Sequence, residues 1–281
     1  MSSIGRHFIL TNGRSGSNFF AQALNQHPQI VNYGEVLGDW TLPGRLVRDR
    51  FTSPALYLDW LFASRTAFYA AQAVSAAART RRGKPRHMRR RADISSIGVK
   101  EFVVNLRRFS LDAYLADRAG IALVSLIREN PVDRYVSVRL LADTGRVSYR
   151  AGDEAAPQAQ IEVDPGAVIN ELDLIREENE AVRAIEDAHE GPVFRLRYET
   201  FFGSSEQEQT DVLASLQEFL GVAPRRLSTE HKRLRKASLA RTIKNYAAFA
   251  AALKGSRYQP WLDEDEGGDP QGGAAERVGL A

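Results

Sequence analysis

The sequence predicts an α/β fold in which a central, mainly parallel sheet is flanked by helices. Short apolar runs of strand length alternate with stretches of helical spacing along most of the chain, the pattern of successive β–α units. The runs Phe8–Thr11 and Ile121–Ile127 are apolar nearly throughout instead of alternating, as strands covered on both faces are. With 281 residues at 43% hydrophobic, the chain can bury one sizeable core, so a single domain with insertions is expected.

Taken in order, Phe8–Thr11 reads as the first buried strand and Ser17–Gln26 as a helix with Phe19, Phe20, Ala23 and Leu24 on one side. Pro28 stops that helix, because proline disfavours helical backbone at the residue before it. Ile30–Tyr33 is a second strand. Residues 53–78, rich in Ala, Leu and aromatics, read as one or two helices. The aromatics of 51–69 (Phe51, Tyr57, Trp60, Phe62, Phe68, Tyr69) suit either core or a sugar-binding cleft. Ile97–Val104 is the next strand, Leu111–Ala119 a helix and Ile121–Ile127 the cleanest buried strand. Pro131 opens a helix to about Leu141, at a position where its missing N–H would be unpaired anyway. Residues 151–165 are polar, contain Pro157 and Pro165, and read as a loop. Ile169, Leu172, Ile175, Val182 and Ile185 give a long helix, Val193–Leu196 a short strand, and Val212–Leu220 and Ala237–Leu253 the remaining helices. Residues 1–262 are thus one domain with an inserted helical and basic segment at 45–95, and 263–281 a flexible acidic, Gly-rich tail that cannot support a core.

The absence of cysteine excludes disulfides, thiolate chemistry and cysteine zinc sites. No stretch reaches the roughly 18 apolar residues of a membrane-spanning helix. Arg6 and His7 lead straight into Phe8-Ile9-Leu10, without the pattern of a signal peptide, so a cytoplasmic location is expected. The net charge of +3 is modest, but residues 79–91 (RTRRGKPRHMRRR) concentrate positive charge. They suit a solvated face, the wall of an acceptor site for an anionic glycan or a lipid headgroup at a membrane surface, or a nucleic-acid patch. Against the last, no aromatics interleave the arginines to stack bases. His27 and His87 have no partner at a ligand or dyad spacing and read as structural or solvated; no metal site is expected. Oligomeric state is not legible, and a homodimer stays open.

In parallel α/β sheets, ligands bind beyond the carboxyl ends of the strands. The segments after Thr11, Tyr33, Val104, Ile127 and Leu196 are therefore where the chemistry is sought. After the first strand comes Gly13-Arg14-Ser15-Gly16-Ser17-Asn18. Gly13 and Gly16 allow backbone conformations closed to other residues. The helix opening at Ser17 and Asn18 turns free N–H groups and a positive dipole end to the turn. Arg14 and the hydroxyls of Ser15 and Ser17 add donors, so the turn suits an anion with tetrahedral oxygens. It lacks the lysine of G-x-x-x-x-G-K-[ST] and the third glycine of G-x-G-x-x-G, which argues against a nucleotide-dependent kinase or a dinucleotide site. An ordinary strand–turn–helix connection with capping serines would also carry such residues.

A second anchor lies in VSLIRENPVDRYVSVR at 124–139, where a buried strand delivers Arg128 to the same edge and the next helix presents Ser137. Arginine offers a rigid fork for phosphate and the serine completes the cradle. Alternatively Arg128 pairs with a carboxylate and Ser137 merely faces solvent. Asp133 and Arg134 read as a helix-surface pair.

Together the two segments resemble the sulfotransferase superfamily that uses 3′-phosphoadenosine 5′-phosphosulfate (PAPS). Arg14-Ser15-Gly16-Ser17 is similar to its 5′-phosphosulfate loop, and Arg128, Asn130-Pro131 and Ser137 to its 3′-phosphate motif. The Arg128–Ser137 interval is one residue longer than in many cytosolic members, Glu129 being the extra one, and in this it looks like bacterial carbohydrate sulfotransferases. HPQIVNYGEVL at 27–37 resembles a stretch of the nodulation-factor and trehalose-type enzymes, RLRYETF at 195–201 a strand with Tyr-Glu, and 243–262 the closing helix. The resemblance covers more than half the chain; 40–95 and 145–165 are its least familiar parts. It implies a P-loop-like α/β sandwich and in-line transfer of a sulfuryl group to a hydroxyl, on a carbohydrate or glycolipid, with adenosine 3′,5′-bisphosphate leaving. A small hydroxylated metabolite is the alternative acceptor. By that resemblance Glu35 is the base, a role that partial burial would favour by raising its pKa. Glu101 is a rival base. Arg14 would stabilise the leaving phosphate, Lys100 would hold the sulfuryl oxygens unless it merely ends its strand in a salt bridge, and Tyr198 would lie near the adenine. A basic nucleic-acid or anion-binding module is the non-enzymatic alternative.

Overall fold

A computed structural model describes residues 4–81, 83, 88–145, 160–227 and 238–266. Strands β1 (Gly5–Thr11), β2 (Ile30–Asn32), β3 (Ser96–Phe102), β4 (Ile121–Ile127) and β5 (Val193–Arg197) form one sheet ordered β2-β3-β1-β4-β5. Every pairing is parallel. The helices are α1 (Ser17–Leu24), α2 (Leu42–Leu46), α3 (Pro54–Ala63), α4 (Arg65–Arg81), α5 (Val103–Arg108) and α6 (Pro131–Thr144) in the first half. They continue as α7 (Val168–Ala188), α8 (Tyr198–Gly203), α9 (Glu206–Phe219), α10 (Leu239–Thr242), α11 (Tyr246–Leu253) and α12 (Gln259–Glu266).

Side-chain alternation assigns the two faces of the sheet. Phe8 and Leu10 of β1 pack with Val99, Leu123 and buried residues of α3, α4, α5 and α7. Ile9 points the other way, to Val124, Leu126 and Leu196 with α1, α8 and α9. Burying both faces is what makes these strands nearly continuous apolar runs. A third cluster joins α6 and α7 to α10, α11 and α12. In register, Thr11 lies beside Phe102 and Leu126, and Leu126 beside Leu196, so the carboxyl ends of four strands finish level. Because β2 and β3 lie on one side of β1 and β4 and β5 on the other, the turn after β1 opens at a topological switch point.

Several elements differ from expectation. Leu111–Ala119 is a series of turns, not a helix. The helix of this crossover, α5, instead starts directly after β3. Ser110 then adopts a left-handed backbone (φ 53°), and Leu111, Tyr114 and Leu115 anchor the turns in the core. The strand expected over Ile97–Val104 accordingly stops at Phe102. Ala237–Leu253 is broken into α10 and α11. Between them Ile243 pairs in parallel with Ile161, and the Asn245 side chain bonds both the N–H and the C=O of Val163. Residues 160–165 are irregular, as expected of a loop, but Ile161 and Val163 are buried and dock the segment; 151–159 lie outside the described residues. Helix α12 runs to Glu266, beyond the expected tail boundary at 263, and 267–281 lie outside the described residues. The expected insertion at 45–95 is the β2–β3 crossover. Its Tyr57, Leu58, Leu61, Phe62 and Phe68 belong to the same core cluster as Phe8 and Val99, with Phe51 and Trp60 packed against them, so five of the six aromatics are core, whereas Tyr69 is exposed. Among the described residues, no helix is long and apolar enough to cross a membrane.

Candidate functional site

The turn after β1 has the conformation its glycine-rich composition suggests, with one change of position. Gly16 is left-handed (φ 80°), and a Cβ there would come within 2.6 Å of the Phe202 ring, so both backbone and packing require glycine. Gly13 is not left-handed; Arg14 takes that conformation instead (φ 66°). Side chains cap the N-termini of α3, α6 and α9 through Ser53, Asn130 and Ser205, but none caps α1, where Gly16 is the N-cap. The serines are thus not helix caps, contrary to the ordinary-connection alternative. Ser17 is buried in the first turn of α1. The Ser15 hydroxyl is buried and has no hydrogen-bond partner among the described residues. An orphaned hydroxyl beside an uncapped helix start is a cradle for oxyanion atoms.

At the next strand end, β4 delivers Arg128 beside this turn. Arg128 Nη1 donates to the Arg14 carbonyl (3.2 Å), while its guanidinium lies 4.4 Å above the Tyr198 ring. Tyr198 in turn opens α8 directly after β5. Asp133 sits 3.4 Å from Arg128, so the carboxylate alternative for that arginine is realised in part, yet Arg128 Nε is buried without a partner. Ser137 does not merely face solvent: its hydroxyl accepts from Arg14 Nε at 2.9 Å. Burial first, and then the neighbouring Arg128, push the Arg14 guanidinium below its ordinary value. Two guanidinium groups this close favour an anion between them. Because Arg14 leans to Ser137, it joins the Arg128 end of this cluster rather than the start of α1.

Asp133 and Arg134 are not the surface pair expected. Arg134 is buried, donating to the Gly13 carbonyl (2.9 Å) and to Glu178 of α7. Asn179, one residue on, accepts from Asn12 and donates to the Arg128 carbonyl, both at 2.8 Å. Glu199 of α8 accepts the N–H groups of Glu129 and Asn130, each at 3.0 Å. Helices α7 and α8 therefore fix the loops after β1 and β4 from behind. Sequence reasoning missed Glu178 and Asn179, of which Asn179 left a signal, a polar residue one turn from the apolar positions Ile175 and Val182; Glu199 is the glutamate of the RLRYETF stretch.

On the other side of β1, the ends of β2 and β3 meet at Glu35 and Lys100. Lys100 is buried, pairs with Glu35, and donates to Asn18 Oδ1 of α1 at 3.0 Å. Its expected salt bridge exists, and the partner is the candidate base itself. The other Glu35 oxygen accepts from the indole N–H of Trp40, whose ring is 57% exposed. Glu35 is thus held between a cation and an indole, with its side chain 19% exposed. Glu101, on the opposite face of β3, is completely buried. It accepts the N–H of Val36, that of Leu37 at 2.6 Å and the Asn105 amide at 2.9 Å. Burial pushes its carboxyl up, against the pull of those donors. Enclosed in this way, Glu101 anchors the segment that carries Glu35.

Within the basic run, Arg89 donates to the carbonyls of Asn25, His27 and Ile30, Arg90 pairs with Asp93, and Arg91 binds the carbonyls of Phe62 and Ala63. His27 bonds Ala223 and Gln29, a structural role, and His87 lies outside the described residues. A cavity of about 400 Å³ opens between α1, β2 and α4 with Glu35 and Lys100 in its wall. A larger depression of about 560 Å³, around Glu206 and Arg225, shares no residue with this site. No known family model matches the chain, and no curated protein matches it.

Proposed function

We propose that the protein is a PAPS-dependent sulfotransferase acting on a hydroxyl of a carbohydrate or glycolipid. The observation that carries this reading is a two-ended anion grip at one sheet edge. One end is the uncapped start of α1 with the orphaned Ser15 hydroxyl, and the other is Arg128, Arg14 and Ser137. A nucleotide phosphorylated at both 5′ and 3′ positions matches two such ends, and Tyr198 beneath Arg128 offers a ring face at the second.

In the reaction proposed, Glu35 takes the proton of the acceptor hydroxyl, whose oxygen forms a bond to sulfur as the bond from sulfur to the phosphate oxygen breaks. Lys100 holds the Glu35 carboxylate and presents its ammonium to the sulfuryl oxygens. The N–H groups at the start of α1, with Ser15 and Ser17, stabilise charge on the departing phosphate, while Arg14 and Arg128 hold the 3′ end. No metal enters this scheme. Arg89 and Arg91 of the basic run turn their guanidinium groups inward to main-chain carbonyls, which takes those two charges away from a nucleic-acid surface.

The test is incubation with sulfur-labelled PAPS and a panel of glycans, glycolipids and small alcohols. Label transfer to a glycan is expected, together with thermal stabilisation by adenosine 3′,5′-bisphosphate and not by ATP. Stabilisation by neither nucleotide, with no transfer, overturns the reading.

A further inference from the structure

Trp40 is fixed in place although most of it lies in water. It is 57% exposed, yet three contacts hold its ring. The indole N–H donates to Glu35 Oε2. Gly38 leaves room for the ring, since a Cβ there would come within 2.4 Å of Trp40 Cε2. Phe102, at the end of β3, lies beside it with ring centroids 6.2 Å apart. The backbone leading to Trp40 is anchored as well. Glu101 accepts the N–H groups of Val36 and Leu37, and the buried Arg48 donates to the Leu37 carbonyl. Fixing a large ring in water gains little burial, so this pre-organisation points to a ligand that covers it. The two oxygens of Glu35 also differ. Oε1 faces the Lys100 ammonium, whereas Oε2 shares the neutral indole N–H. A proton goes more readily to the oxygen beside the neutral donor, which puts the reacting hydroxyl on the Trp40 side of the carboxylate.

Resting on the sulfotransferase reading, we propose that Trp40 is the acceptor-binding platform. A pyranose ring of the acceptor lays its C–H face on the indole and turns one hydroxyl to Glu35 Oε2. The C–H groups of a sugar face are weakly positive and suit the negative face of an aromatic ring. A sugar also needs partners for its remaining hydroxyls, and charged groups adjoin the indole in the chain. Asp39 precedes Trp40 and is half-exposed, held by Arg48 and by Arg108, which is half-exposed too. An aromatic alcohol would use the ring but not these polar groups. The acceptor class selected is therefore a glycoside with an unsubstituted ring face.

The probes are cellobiose, maltose and lactose, with the acyclic polyol D-glucitol and the aromatic alcohol p-nitrophenol as controls. Binding is measured by calorimetry with and without adenosine 3′,5′-bisphosphate, and transfer from labelled PAPS is measured in parallel. At least one disaccharide is expected to bind about tenfold or more tighter than either control. Because Trp40 is exposed, its variants are expected to keep the fold. Trp40→Ala should lower the disaccharide affinity about tenfold. Trp40→Phe, which keeps a ring and loses the N–H, should retain most of it. In the transfer assay both variants lose the bond to Glu35 and should lower kcat alike, while Trp40→Ala alone raises KM markedly. Equal disaccharide affinity in parent and variants, with kcat lowered, would make Trp40 a positioning residue for Glu35 and overturn the platform. Tightest binding of p-nitrophenol, or binding of no disaccharide, would overturn it too. In each of these cases normal bisphosphate binding leaves the donor reading intact. Conversely, disaccharide binding that depends on Trp40, without any bisphosphate binding, would overturn the donor reading and leave the platform standing.

Discussion

At Gly16 two separate demands meet, a left-handed backbone and a ring packed where a Cβ would lie. Gly16→Ala therefore carries about 1–2 kcal/mol of backbone cost and a steric displacement of Phe202 as well. Thermal denaturation should show Tm lowered by about 2–8 °C from the backbone cost, on the basis of about 2–4 °C per kcal/mol for a chain of this size. An unchanged Tm would mean that the turn has an alternative conformation open to alanine. Glu35 poses a chemical demand instead. Glu35→Gln keeps an acceptor for the Trp40 N–H but cannot take a proton and no longer neutralises Lys100. With any acceptor that supports transfer, turnover should fall by about 10²–10⁴-fold while the affinity for adenosine 3′,5′-bisphosphate is kept. Near-normal turnover would remove Glu35 from the role, and Glu101 could not inherit it without unfolding the 34–37 segment it anchors. Neither demand on Gly16 could be read from the sequence in full, since Phe202 is remote in sequence. That the left-handed residues would be Arg14 and Gly16, not Gly13, depends on how the loop closes against α6.

At the scale of elements, α7 shows what local sequence does and does not carry. Its apolar spacing, Ile169, Leu172, Ile175, Val182 and Ile185, marks a buried helix; Val182 and Ile185 pack on the sheet, while Leu172 and Ile175, with Ile169 partly buried beside them, pack against α6, α10, α11 and α12. The function of the same helix lies in Glu178 and Asn179, which reach two loops far away in sequence. Asn179→Ala strands the buried Asn12 amide and the Arg128 carbonyl, a cost of about 1–3 kcal/mol. It should lower Tm and, by loosening both ends of the grip, also weaken bisphosphate binding; a fall in Tm with unchanged affinity would make α7 purely structural. Strands covered on both faces, and the helix begun by Pro131, were legible because their signals are local. The missed elements are those decided by distant partners. Helix 237–253 breaks because Ile161 and Val163 dock into it, and Leu111–Ala119 fails to become a helix because its apolar side chains anchor successive turns to the core.

At the scale of the whole molecule, one buried histidine of the sheet makes stability depend on pH. His7 lies within β1 and is fully buried; its Nδ1 bonds Ser96 of β3 at 2.8 Å, and its Nε2 accepts from the Asn32 amide of β2 at 3.1 Å. The ring packs directly on Gly98, where a Cβ would approach to 2.1 Å, so one imidazole ties three strands together at a gap that only glycine leaves. Sequence reading passed over His7, because a histidine entering an apolar run gives no hint of cross-strand partners. Burial lowers its pKa from 6.5 to about 3, so the folded state holds it neutral. The sign follows from proton counting. Between pH 6.5 and about 3 the unfolded chain binds a proton there that the folded chain does not, so stability falls as the pH drops below 6.5. The slope from this residue approaches about 1.4 kcal/mol per pH unit. Denaturant unfolding at pH 7 and pH 5 should therefore show a loss in the parent protein that His7→Gln does not share. The carboxylates titrate alike in both proteins and cancel in the difference. His7→Gln should start less stable at pH 7, since its amide cannot reproduce both hydrogen bonds, and the two stability curves should converge toward acid. Parallel curves would show that His7 accepts its proton within the folded sheet, which would require Asn32 to turn its amide oxygen toward the ring and β2 to hold its place at the edge of the sheet without the present bond.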